Sequence, residues 1–320
     1  MQGLVTVFGG SGFIGTQVVR ALAKQGWRVR VAVRRTNMAH RMRMLGDVGQ
    51  IQVVQANIRS GASVARALEG AQACVNLVGV LQERGRQGFM SLHATAAGKV
   101  AEAAKAAGAT RFVQMSALGA DAESGSKYAR TKAMGEAAVR QVFPDAVVIR
   151  PSIVFGPEDG FFNLFARMAT LAPALPLFGG GKTCFQPVFV GDVAAAIAAT
   201  ATQAGHAGKT FELGGPAVYS FKEVLELILR ETGRNRPLIP IPWFAAKAMG
   251  SAGDMISGLF PAPITSDQVI LLQSDNVVSG SLPGLAELGI VPTTVEAVVP
   301  SYLYLYRKGG QYAPLPEGAL

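Results

Sequence analysis

Tyr128-Ala-Arg-Thr-Lys132 sets a phenol and an ammonium four residues apart, on one face of any helix that carries them. An ammonium beside a phenol lowers its pKa and makes it a usable acid–base, and the same ammonium can hold a ribose hydroxyl. Just upstream, the apolar run Arg111–Met115 ends in Ser116-Ala117. Near the start, Gly9-Gly10-Ser11-Gly12-Phe13-Ile14-Gly15 follows an apolar run and opens a helical pattern. Gly9, Gly12 and Gly15 make a GxxGxxG turn, in which pyrophosphate can approach backbone N–H groups at a helix N-terminus. Gly15 would let that helix pack closely. The candidate dinucleotide ligands there are Gly9, Ser11, Gly12, Phe13, Ile14 and Gly15.

The second apolar run decides which dinucleotide. A site selective for NAD places a carboxylate about 20 residues past the glycines, on the ribose 2′-hydroxyl. Here Val33 is followed by Arg34-Arg35, with no acid until Asp47. Guanidinium groups pair with a 2′-phosphate that a carboxylate would repel, so NADP(H) is expected in preference to NAD(H). Asn57-Ile58, one run later, stands where an adenine contact belongs.

These residues need a scaffold. Leu4–Phe8, Val29–Val33, Ile51–Gln55, Ala73–Val78, Arg111–Met115 and Ala146–Ile149 read as strands. Helical patterns lie between them at Gly12–Lys24, Ala62–Leu68, Phe89–Ala107 and Ser126–Val142. Six strands alternating with helices predict an α/β fold: a doubly wound, Rossmann-type parallel sheet with helices on both faces. Residues 1–150 form the nucleotide domain in this reading. Residues 151–320, richer in proline, form a smaller substrate or partner lobe, with Gln186–Val190 returning as a strand to the main sheet. Ser220–Glu223 and Thr293–Glu296 each fit a capping box.

Composition narrows the classes. The chain is 49% hydrophobic with two cysteines, Cys74 and Cys184, which suits a large core in a reducing, cytoplasmic compartment. Met1–Phe8 has no basic leader of the signal-peptide kind, and no run of about eighteen apolar residues predicts a transmembrane helix. His40, His93 and His206 are isolated, so no metal site is expected. The net charge is +9, and all the excess lies through residue 68, where ten Lys/Arg face one acid. Only one aromatic residue, Trp27, interleaves with that basic cluster, which argues against a nucleic-acid partner. Met38, Met42 and Met44 fit either an adaptable lid or a helix face. Leu238–Phe260 reads as a surface resting on a membrane or partner, or as a buried lobe. Tyr302, Tyr304 and Tyr306 read as an interfacial tail or an ordinary aromatic face.

Together the motifs resemble the short-chain dehydrogenase/reductase superfamily, in its extended or atypical branch. In that family's extended members the second hydroxyl position after the fifth strand is catalytic. Here that register falls on Ala117; the resemblance implies a triad with Tyr128 and Lys132 if Ser116 takes the role instead and polarises the substrate carbonyl. Further motifs recur in order: Asn76-Leu77-Val78-Gly79, Ser126-Lys127-Tyr128, Lys132-Ala133-Met134-Gly135-Glu136, Arg150-Pro151-Ser152-Ile153-Val154-Phe155-Gly156 and Leu282-Pro283-Gly284-Leu285. With them nearly the whole chain resembles the nucleotide-binding accessory subunits of respiratory complex I and their bacterial relatives. The resemblance implies a tightly held NADPH, touched also by Val78, Gly79, Pro151 and Ile153. It implies partners among complex I subunits or quinone-biosynthesis proteins, and a place in the cytoplasm or peripheral on the inner membrane. The competing expectation is an active reductase, epimerase or dehydratase using Tyr128, Lys132 and Ser116.

Overall fold

The computed structural model describes residues 2–83, 85, 87–257 and 264–312. The six apolar runs form six strands: β1 (Leu4–Phe8), β2 (Arg28–Val33), β3 (Ile51–Gln55), β4 (Ala73–Asn76), β5 (Arg111–Met115) and β6 (Val147–Pro151). With Thr210–Leu213 they make one parallel seven-stranded sheet, in the order Thr210–Leu213, β6, β5, β4, β1, β2, β3. Val5, Val7, Val29, Val31, Val75 and Val148 are wholly buried, as a sheet covered on both faces requires. On one face lie α1 (Phe13–Lys24) and the helix Val190–Thr202; on the other, α2 (Gly61–Leu68), α3 (Ala96–Ala106) and α4 (Lys127–Val142). Phe8, Phe112, Leu68, Val100 and Val139 join the core of that second face.

The chain runs outward from β1 through β2 to β3, then restarts at β4 on the other side. The reversal between β1 and β4 is the topological switch point, where open α/β sheets bind ligands beyond the strands' carboxyl ends. The glycine turn follows β1 at this point.

By contact, the described residues group into two compact units: one within Met1–Pro151, Val190–Leu213 and Ser279–Val291, the other within Ser152–Phe189, Gly214–Val278 and Pro292–Leu320. The chain past Arg150 therefore returns twice to the sheet unit. The expected return strand at Gln186–Val190 is corrected. Val188–Phe189 pairs instead with Val154–Phe155 in a separate two-stranded ladder, and Thr210–Leu213 takes the edge beside β6. Pro187 has no N–H to give a ladder, and Val190 already opens a helix.

The second unit packs around Phe155, Phe162, Phe165, Phe178, Phe185 and Phe221. Its helix Phe221–Thr232 starts at the expected box: the Glu223 N–H donates to Ser220 Oγ (3.2 Å) and the Ser220 N–H to Glu223 Oε2 (2.7 Å). At the other expected box the cap is Thr294, one residue later, because the helix begins at Val295 and Glu296 falls at its second position. Tyr302 and Tyr306 turn inward, donating to Asp159 Oδ2 (2.7 Å) and Asn163 Oδ1 (2.9 Å), so the tyrosines form a packed face. The helix Trp243–Ser257 buries Ala246 and Gly250 while Phe244, Met249 and Met255 are exposed. The Phe260 end of that apolar stretch lies outside the described residues. Met42 is buried, and Met38 and Met44 are exposed.

The stretch Phe89–Ala107 is not one regular helix: Met90–Thr95 is a π-turn, and α3 follows it. There α4 comes so close that a Cβ on Gly135 would collide with the carbonyl oxygen of His93. Gly135→Ala should therefore cost about 1–3 kcal/mol in urea denaturation. Gly98→Ala, whose Cβ meets Ala138 Cβ at an ordinary 3.4 Å, should be neutral or stabilise by up to about 1 kcal/mol. Equal effects would refute this account of the packing.

Candidate cofactor and active site

The turn after β1 is held open for a ligand by backbone alone. Gly9 has φ +78°, its N–H donates to Ala32 O (3.2 Å), and its carbonyl accepts from the Gly12 N–H (3.1 Å). A Cβ on Gly15 would run into Gly9 O and the Gly10 backbone, so glycine at 15 lets α1 start against the turn. Gly12 caps α1 without a side-chain hydrogen bond, and no acid stands in the first turn. The first-turn N–H groups of Phe13, Ile14 and Gly15 have no intrahelical acceptors, the arrangement that suits an anion at a helix start. A Cβ on Gly9 would lie 3.3 Å from the Val78 side chain, so the loop after β4 closes on the same turn.

At the end of β2, Arg34 and Arg35 are exposed, and among the described residues neither guanidinium has an ion-pair partner. Asn57 is half-buried, and its Oδ1 accepts from the Arg59 N–H (3.1 Å), fixing the turn after β3. Ile58 is packed into the core, so only its backbone is available to a ligand. Pro151 ends β6, and its carbonyl accepts from the Leu118 N–H (3.0 Å). Ile153 belongs to the second unit, where it packs against the phenylalanine core.

Tyr128 and Lys132 lie on α4, which Ser126 caps through its Oγ, accepting from the Ala129 N–H (3.2 Å). Lys132 is only 6% exposed; its Nζ donates to Met115 O (3.3 Å) and stands 5.7 Å from the Tyr128 ring centroid. Ser116, 4% exposed, begins where β5 ends, and its hydroxyl has no hydrogen-bond partner among the described residues. Ala117 holds the neighbouring register. Two buried amides square the strand ends: Asn76 Nδ2 donates to Gln114 Oε1 (2.9 Å), and Gln114 Nε2 to Met115 O (3.0 Å). Asn76 Oδ1 in turn accepts from the Val78 N–H (3.3 Å), which ends β4 two residues earlier than the sequence suggests.

His93, isolated in sequence, is central here. The Val80 N–H donates to its Nε2 (3.1 Å), so that nitrogen carries no proton and Nδ1–H faces Thr131 Oγ1 (3.2 Å). Thr131 Oγ1 then donates to Tyr128 O (3.1 Å). The ring stacks on Phe89 (5.3 Å) and meets Tyr128 edge-on (5.4 Å). A Cβ on Gly79 would lie 3.3 Å from Lys132 Nζ and 3.4 Å from His93 Nε2, so glycine at 79 leaves room for both. Val80 and Thr131 are 13 and 38 residues from His93 in sequence, and no local pattern announces the cluster.

The glycine cradle, the uncapped helix start and the unpartnered Ser116 hydroxyl fit a bound dinucleotide. Known proteins agree on the class. Residues 5–214 match the NAD dependent epimerase/dehydratase family. The chain belongs to that family. The NADH dehydrogenase [ubiquinone] 1 alpha subcomplex subunit 9 of Arabidopsis thaliana is 36% identical over 97% of this chain and 80% of its own. Ceramide reductase of Caulobacter vibrioides is 38% identical over 55% of this chain and 54% of its own. An NADPH-dependent quinone oxidoreductase from Escherichia coli, solved with NADPH, superposes with a TM-score of 0.74 at 21% identity over 94% of this chain and 99% of its own. The cofactor class of this family member is thus a nicotinamide dinucleotide, NAD(P).

Electrostatics set what its lysine can do. Burial pulls Lys132 down to about 8, and Glu136, one turn along α4, resists the fall. Arg150 on β6 claims both Glu136 oxygens, Nε to Oε1 at 2.9 Å and Nη2 to Oε2 at 2.6 Å, so little of that charge is left for Lys132. Burial and the nearby Lys132 push His93 down to about 3, which keeps it neutral. Between about pH 8 and the ordinary lysine range, the unfolded chain holds a proton on Lys132 that the folded chain has released. Stability therefore rises with pH across that window. Lys132→Met should stabilise the protein by about 1–3 kcal/mol at pH 7, and the gain should vanish above about pH 10.5. It should also weaken nucleotide binding. Thermal melts of both proteins from pH 6 to 11 check the first outcome, and no gain at pH 7 refutes it.

Proposed function

We propose that this protein holds NADP(H) in preference to NAD(H), largely as a resident structural group, and serves respiratory quinone chemistry or quinone biosynthesis. The observation that carries the cofactor choice is the exposed Arg34-Arg35 pair at the end of β2, in a position with no competing carboxylate. The binding residues in this reading are Gly9, Ser11, Gly12, Phe13, Ile14 and Gly15 for the pyrophosphate, and Arg34 and Arg35 for the 2′-phosphate. Asn57 and the Ile58 backbone bound the adenine, while Val78, Gly79, Pro151, Tyr128 and Lys132 serve the nicotinamide end. Kinship with complex I subunit 9 over nearly the whole chain supports partners among complex I subunits or quinone-biosynthesis proteins. Among the described residues no helix is long and apolar enough to cross a membrane. The setting we infer is the cytoplasm, with peripheral contact at the inner membrane.

A second reading rests on Ser116. Its buried hydroxyl lacks a partner among the described residues, and such a group costs about 1–3 kcal/mol unless something satisfies it. In an active reductase, epimerase or dehydratase, Ser116 would donate to a substrate oxygen, Tyr128 would exchange a proton there, and Lys132 would hold the phenol acidic. The nicotinamide, when bound, supplies the hydride chemistry. The partial likeness to a ceramide reductase favours this reading.

The two readings separate on the purified protein. We expect stoichiometric NADPH to copurify, exchanging slowly, with NADH bound at least tenfold more weakly. The double variant Arg34→Ala/Arg35→Ala should weaken NADPH by about 10- to 100-fold and leave NADH within about twofold. NADH bound as tightly as NADPH to the unaltered protein overturns the cofactor choice. Substrate-dependent NADPH oxidation that Ser116→Ala abolishes replaces the structural role with the catalytic one.

A further inference from the structure

The seven-stranded sheet finishes its two edges differently. At one, Thr210–Leu213 is covered: the Glu212 N–H donates to Pro283 O (2.9 Å), and Glu212 Oε2 accepts from the Ser279 N–H (2.7 Å). At the other, β3 pairs only with β2. The Val29 N–H donates to Gln50 O (3.0 Å) and the Ala56 N–H to Val33 O (2.8 Å). With the parallel register, these bonds assign the backbone groups of Gln52 and Val54 to β2. Ile51, Val53 and Gln55 therefore turn their N–H and C=O groups outward, and no described residue bonds to them. Natural edges are usually blunted by charge, proline or a bulge. β3 reads Ile-Gln-Val-Val-Gln and has none of these.

The edge is framed by positive charge. Arg28 opens β2 beside it, Arg43 is exposed on the turn His40–Leu45 that packs on β3, and Arg66 is exposed on α2, which also packs on β3. Met44 and Val48 stand in solvent close by in the chain, 80% and 101% exposed. Only Asp47 opposes ten Lys/Arg through residue 68. Arg34 and Arg35 have a proposed use at the nucleotide; Arg28, Arg43 and Arg66 are outside it.

We propose that the free edge of β3 is a docking site for an acidic, extended segment of another protein, which adds to the sheet as a further strand. Backbone groups supply the pairing, and the arginine frame selects the charge. A second copy of this chain is a poor occupant, because two such frames would repel.

The probe is an acetylated, amidated peptide of alternating Glu and Val, with a Lys–Val peptide as control. Hydrogen exchange of the full chain should show β3 protected by the acidic peptide only, with affinity falling at least tenfold as salt is raised from about 0.05 to 0.5 M. Val53→Pro removes one outward N–H and leaves the bonds to β2. It should weaken the acidic peptide at least tenfold with the NADPH Kd unchanged. Should that variant fail to fold, Arg43→Glu/Arg66→Glu should weaken the acidic peptide by the same measure. The proposal falls if the acidic peptide gives no protection, if the lysine peptide protects equally, or if neither variant weakens binding. It also falls if β3 becomes protected on concentrating the protein alone, which would make the occupant a second copy. Protection by anionic vesicles, with none from the acidic peptide, would make the surface a lipid contact instead.

Discussion

A buried ammonium organises the sheet unit. Lys132 sits among groups that give it one carbonyl, Met115 O, and one carboxylate a turn away, Glu136. A charge left unpaired in such a place costs several kcal/mol, so its surroundings must be fixed. Glu136 is locked by Arg150 in a two-point pair, Arg150 feels Glu212, and Glu212 Oε2 is held by the Ser279 N–H. That ladder runs from α4 through β6 to the edge strand Thr210–Leu213 and on to Ser279–Val291. It ties segments far along the chain to the sheet, one of whose edges they also cover.

The same constraint shapes the loop after β4. Gly79 has no side chain, which lets both Lys132 Nζ and His93 Nε2 stand near its Cα. His93 is kept neutral by burial and by Lys132, and it can therefore accept from the Val80 backbone while its other nitrogen faces Thr131. One imidazole thus ties the β4 loop to the helix that carries Tyr128. The π-turn Met90–Thr95 brings it there, and Gly135 lets α4 approach the His93 carbonyl closely enough for the ties to form.

What was legible in the sequence is what local geometry encodes. The glycine turn, the Tyr128–Lys132 spacing, the Arg34-Arg35 pair and the strand–helix alternation each act within one or two elements. So does the Ser220 capping box, whose partners are three residues apart. The features that escaped are those whose partners are distant in the chain: Asn76 with Gln114, His93 with Thr131, Arg150 with Glu136 and Glu212. The π-turn has no local signal, and the helix that packs against it through Gly135 lies far along the chain. The return strand was misplaced for a different reason: Gln186–Val190 has β-branched content, but Pro187 and the helix start at Val190 leave only two residues to pair. Ile58 follows Asn57 in the turn after β3, yet the core claims its side chain.

The charge excess of the first 68 residues separates once the fold is known. Arg30 is spent within the sheet unit, its Nη1 donating to Ala67 O (3.0 Å) and Glu69 O (2.7 Å) at the end of α2. Arg34 and Arg35 stand at the end of β2, beside the switch point. Arg28, Arg43 and Arg66 frame the other side of the same half-sheet. A uniformly basic surface would attract any polyanion; one divided in this way suits a single small anion at the strand ends and a longer charged partner along the edge, as proposed above. The separation follows from parallel topology. The carboxyl ends of β1 and β2 converge on the glycine turn, whereas β3, outermost in the order, offers its length instead.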